Sequence, residues 1–69
     1  MKEKIIDADC DGFEFGGKVI INGEVKISGD INCDFLEIKL GSSLKISGDI
    51  YAGGYIHAGG YIIAGGYNN

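Results

Sequence analysis

Apolar side chains recur along this chain in pairs two residues apart, and the pairs recur every six residues. The period is plainest near the C-terminus, where Ile50 to Tyr55, Ile56 to Tyr61 and Ile62 to Tyr67 read IYAGGY, IHAGGY and IIAGGY. The same frame run backward gives LKISGD from Leu44, IKLGSS from Ile38, VKISGD from Val25, VIINGE from Val19 and FEFGGK from Phe13. One seven-residue unit, INCDFLE from Ile31 to Glu37, carries the single insertion. Before Phe13 the frame loosens into a segment where Ile6, Ala8 and Cys10 alternate with Asp7, Asp9 and Asp11.

Each unit sets apolar residues at its first and third positions, a variable residue between them, and Gly, Ser or Asn after them. Alternation of period two turns the apolar pair to one side, which makes each unit a three-residue strand followed by a corner. Glycine at a corner permits the positive φ of a sharp turn. A strand this short buries little alone, so neighbours must stack on it. The expected fold is all-β, a short β-solenoid of about three coils built from six-residue repeats. Residues 1–69 form a single domain, with 1–12 as an acidic cap strand and 13–67 as repeats. Residues about 18 or 19 apart then lie above one another at a rung spacing of ~4.8 Å; the matching segments from Lys26 and Lys45 are 19 apart. The interior is expected to hold Val19, Ile21, Val25, Ile27, Ile31, Cys33, Ile38, Leu40, Leu44, Ile46, Ile50, Ile56 and Ile62. A meander of short antiparallel hairpins is the competing arrangement, but three-residue strands make a poor flat sheet.

Composition narrows the function classes. Sixty-nine residues make an ordinary globular core marginal, and a repeating ladder is one remedy. An apolar fraction of 45% is too high for a disordered chain. Ten acids against six lysines give a net charge of −4, which disfavours direct binding to nucleic acid. No apolar run approaches a membrane span and nothing resembles a signal peptide, so a cytoplasmic location is expected. In that setting Cys10 and Cys33 read as reduced thiols.

Candidate chemistry is sparse. Asp7, Asp9, Asp11 and Gly12 spell the opening of a calcium loop, yet Lys18 stands where the closing bidentate glutamate belongs. Neither metal nor cofactor is expected. His57, the only histidine, takes a variable position and should face outward. Hexapeptide-repeat acyltransferases use a histidine as general base in a cleft between subunits, but they are longer solenoids with an inserted loop. Ser28, Ser42, Ser43 and Ser47 sit at corners with no base in the local pattern, so they read as turn residues. The paired glycines lack the helix and lysine of a phosphate loop. The chain therefore reads as non-catalytic.

Charge and aromatic residues separate along the chain. The acids Asp7, Asp9, Asp11, Glu14, Asp30, Asp34, Glu37 and Asp49 form a candidate acidic binding face. If Asp7, Asp9 and Asp11 alternate along a strand, their carboxylates lie about 6.7 Å apart, a spacing that can engage basic side chains meant for phosphates. After Asp49 no formal charge remains, while Tyr51, Tyr55, Tyr61 and Tyr67 are expected to point outward. These tyrosines are candidates for self-association, a two-fold dimer foremost; stacking along the coil for internal stability is the alternative.

The stretch from Lys18 to Ile50, with VIINGEVKISGDI and LKISGDI, resembles the repeat core of bactofilins, polymer-forming bacterial solenoids. That resemblance implies a self-assembling scaffold. The AGG units from Ala52 to Gly66 are similar to those of short glycine-rich proteins of phages and mobile elements. Together with the acidic body and aromatic end, they imply a small anti-CRISPR-like inhibitor. It would dock on a host nucleic-acid-handling defence complex in the host cytoplasm, partly by acidic mimicry.

Overall fold

The computed structural model describes residues 2–66, and every strand pairing in it is parallel. Seven strands follow in order: β1 (Glu3–Ile6), β2 (Cys10–Ile21), β3 (Glu24–Ile38), β4 (Ser43–Ile46), β5 (Ile50–Ala52), β6 (Ile56–Ala58) and β7 (Tyr61–Ala64). No helix interrupts them. The long β2 and β3 run around corners, so each contributes to more than one side of a stacked, three-sided β-solenoid of about three turns.

Register defines the three sides. On side A, β1 stacks on Lys18–Ile21, those residues on Phe35–Ile38, and Leu36–Ile38 on β6. On side B, Cys10 lies beside Ile27, residues 24–27 beside β4, and β4 beside β7. On side C, residues 13–15 stack on 31–33 and those on β5. Stacked positions are 15 apart at Lys4 and Val19, 17 at Val19 and Leu36, 18 at Leu44 and Ile62, 19 at Val25 and Leu44, and 20 at Leu36 and Ile56. Corner length absorbs the variation, so the inward columns stay aligned although the repeat is not uniform.

The interior holds Ile6, Val19, Ile21, Val25, Ile27, Ile31, Cys33, Leu36, Ile38, Leu44, Ile46 and Ile50 as one buried cluster. Ile56 and Ile62 pack against it but stay half-buried, since their coil is covered from one side only among the described residues. Leu40 departs from the expected frame. It is 92% exposed, and Leu36, fully buried, takes the place beside Ile38. The corner is the cause: Ser42 N–H donates to Lys39 O at 2.9 Å and Gly41 adopts φ +79°, a tight turn that carries Leu40 outward. The spare residues therefore lie after Ile38, in the corner 39–42, rather than before it.

The AGG corners obey a different constraint from the one expected. Among the described residues only Gly23, Gly29 and Gly41 have positive φ. At Gly54 a side chain is excluded by space instead, because a Cβ there would collide with the Phe35 ring and lie 2.9 Å from Asp34 O.

Candidate binding surfaces

The candidate acids do not share one face. Asp7, Asp9, Asp11 and Glu14 gather on the first coil, all exposed. Asp30, Asp34 and Asp49 occupy corners of later coils, and Glu37 stands on side A between Ile20 and His57. Asp7 to Asp9 form a bend rather than a strand, so regular 6.7 Å alternation does not hold there.

Several of these carboxylates tie one coil to the next. Asp9 Oδ1 accepts the Lys26 backbone N–H at 2.9 Å, and Asp30 Oδ1 accepts that of Asp49 at 2.7 Å. Asp49 Oδ2 accepts the Tyr51 hydroxyl at 3.1 Å. Glu37 pairs with Lys18 Nζ at 2.7 Å. That hydrogen bond raises the Lys18 pKa above its ordinary value and lowers that of Glu37, against the opposing effect of desolvation. The corner serines act similarly: Ser42 Oγ accepts Gly23 N–H at 2.8 Å, and Ser47 Oγ accepts Gly29 N–H at 3.0 Å. Side chains expected to be simple turn formers thus satisfy backbone donors one rung away.

The apolar surface is concentrated at the other end. Tyr51, Tyr55, Tyr61 and Ile63 are exposed on the last coil, and Leu40 joins them, since a Cβ on Gly59 would lie 2.9 Å from Leu40 N. Of the described large apolar residues that are exposed, only Ile5 lies elsewhere. Tyr55 also rests on Phe35, with ring centroids 4.8 Å apart at 42°. Tyr55 thus combines internal stacking with an open outer face; Tyr67 lies outside the described residues. Leu40 could not be found from the hexad pattern, which assigned it inward. The visible signal was the Gly41 that follows it.

His57 is exposed on side A beside Glu37. Among the described residues, no three His, Cys, Asp or Glu side chains converge as a metal-holding group. Cys33 is buried, and burial, aided by the negative charge of Asp34, pushes its thiol up to about 11. Cys10 is only partly buried, and both cysteines are free.

Side B carries two concavities. A groove of about 560 Å³ lies beside Lys26 and Lys45 toward Ser28 and Ser47, and one of about 320 Å³ lies on their other side toward Ser43 and Tyr61. Protein families, curated proteins and solved structures, each compared with the chain, give no match.

Proposed function

We propose that the protein acts by binding rather than by chemistry, as a small phage or mobile-element inhibitor. Two copies join through their last coils, and the pair docks by its acid-rich first coils on the basic surface of a host nucleic-acid-handling defence complex. The observation that carries this reading is the chemical inequality of the two ends. Four exposed carboxylates fall within residues 7–14 at one end, while residues 50–66 at the other hold no formal charge and most of the exposed apolar side chains. Strands β5, β6 and β7 are each paired on one side only among the described residues, and an uncharged open edge does nothing to repel another edge. A two-fold pairing closes that surface on itself. It leaves the acidic ends outward, where like charge opposes further growth. A stiff stacked ladder also loses little freedom on docking.

A bactofilin-like scaffold is the second reading, supported by strand edges that are open at both ends among the described residues. It requires an additional interface at the acidic end. Light scattering after size exclusion separates the two. A dimer of the 7.3 kDa chain that becomes monomeric with Tyr55→Lys and Tyr61→Lys is expected. Binding to a purified CRISPR effector complex should weaken with salt and with Asp7, Asp11 and Glu14 changed to their amides. A monomeric wild type removes the pairing, salt-insensitive binding removes the electrostatic docking, and micrometre-long polymers favour the scaffold.

A further inference from the structure

The two corners tied to a serine hydroxyl of the next coil differ in one respect. Gly23 N–H donates to Ser42 Oγ at 2.8 Å and Gly29 N–H to Ser47 Oγ at 3.0 Å, but Ser28 precedes Gly29 whereas Asn22 precedes Gly23. An asparagine followed by glycine carries a latent reaction of its own. The backbone nitrogen after it can reach the side-chain carbonyl, and glycine has no Cβ to obstruct the approach. The turn itself calls for this glycine, which stands at φ +94°. Both residues are exposed, and a Cβ on Gly23 would meet nothing within 4 Å, so the corner is open to water. Yet the bond is clamped from both neighbouring coils. Asn22 N–H donates to Ile6 O at 3.0 Å, Gly23 O accepts Ser43 N–H at 3.0 Å, and the hydroxyl that engages Gly23 N belongs to a serine only 4% exposed.

We propose that Asn22 is a site of self-modification, a deamidation with Gly23 N as the nucleophile, and that Ser42 restrains it in the folded chain. Gly23 N gives up its proton to water and bonds to Asn22 Cγ; the Cγ–Nδ2 bond breaks, and ammonia leaves with a proton taken from solvent. One water then opens the five-membered imide at either carbonyl, which puts aspartate or isoaspartate at position 22. No electron is transferred and no other reactant is needed. The hydrogen bond to Ser42 Oγ keeps the proton on Gly23 N and fixes the peptide plane, so ring closure waits for the corner to open. Asn32, the other described asparagine, lies inside β3 ahead of Cys33, where the ladder and a Cβ both oppose closure. The two products differ in consequence. Aspartate adds a negative charge to a corner that borders Glu24 and, across the smaller groove, Asp9. Isoaspartate adds a Cβ to the main chain between Ile21 and Val25, both buried, and so lengthens the corner on which their register depends.

The test incubates the full chain in mildly alkaline buffer, digests it with trypsin and follows the segment 19–26 by mass spectrometry, with isoaspartate separated from aspartate by chromatography. The free peptide of the same sequence is the reference. The folded chain is expected to convert roughly tenfold or more slowly than the peptide, because ring closure requires local opening. Ser42→Ala should speed conversion of the folded chain roughly two- to tenfold, the worth of one such hydrogen bond. Ser47→Ala removes the matching bond at Gly29 and controls for lost stability; its rate should stay near that of the parent. Ser42→Cys keeps the volume while weakening the acceptor. It should give a smaller rise, and it carries the test if the alanine variant does not fold. The proposal is overturned by equal rates in the folded chain and the free peptide, or by earlier loss of the amide at Asn32. A Ser42→Ala or Ser42→Cys rate no faster than that of Ser47→Ala also overturns it.

Discussion

Replacing Leu36 and Leu40 separately by alanine tests the register of the whole solenoid. Leu36 is fully buried, with Val19 stacked on one side and Ile56 on the other, whereas Leu40 is 92% exposed. Truncating a buried leucine costs about 2–5 kcal/mol, and a site held by rungs above and below collapses poorly around the void. At roughly 0.05–0.15 kcal/mol per residue, a chain of this size has about 3–10 kcal/mol of total stability, so the loss is a large share of it. For a small domain, the lower figure alone moves Tm down by about 10 °C. Leu40→Ala should stay within about 0.5 kcal/mol of the parent. Far-UV circular dichroism against temperature and urea, at one dilute protein concentration, measures both. If Leu36→Ala fails to fold while Leu40→Ala folds normally, the reasoning stands. Equal losses, or a larger loss at Leu40, would show that the corner 39–42 is misplaced and that the strict six-residue frame continues through it.

Three further outcomes follow from the corners and the core. Gly54→Ala should destabilise by about 1–3 kcal/mol through collision with Phe35, while Gly53→Ala, which faces open space, should be nearly neutral; equal melting temperatures would contradict the close approach. Iodoacetamide near pH 8 should modify Cys10 and spare Cys33 until the chain unfolds, as read by mass spectrometry of peptides. The Cys33 pKa is raised from 9.0 to about 11, so its stabilising contribution is complete below pH 9 and is lost as pH rises toward 11. Cys33→Ala should accordingly flatten the fall in urea midpoint across that interval.

The strand-and-corner grammar was legible because apolar pairs two residues apart can face only one way. Twelve of the thirteen residues expected inside are buried or packed against the core. The exception, Leu40, shows where periodicity loses its hold. Leu36, Ile38 and Leu40 are all apolar at alternate positions, so the pattern admits two frames, and only the turn at Gly41 decides between them. The acid positions were legible as charges but not as hydrogen-bond acceptors. Asp9 and Asp30 find their donors 17 and 19 residues away, a relation set by coil length. The stacking of Lys26 on Lys45, by contrast, was legible in the 19-residue separation of their matching segments.

The parallel stacking also bears on how the chain acquires its shape. Partners sit 15 to 20 residues apart throughout, so the entropy of closing each coil differs by only about 0.3 kcal/mol from the shortest to the longest. No contact must wait for the two termini to meet, and none is favoured by being much more local than the rest. In such a quasi-one-dimensional array, order can spread from any nucleus to its neighbours. A ribosome adding about 5–20 residues per second delivers a new coil every few seconds, ample time for it to dock before the next is made. The nascent chain can therefore wind as it emerges, each turn templated by the turn synthesised just before it.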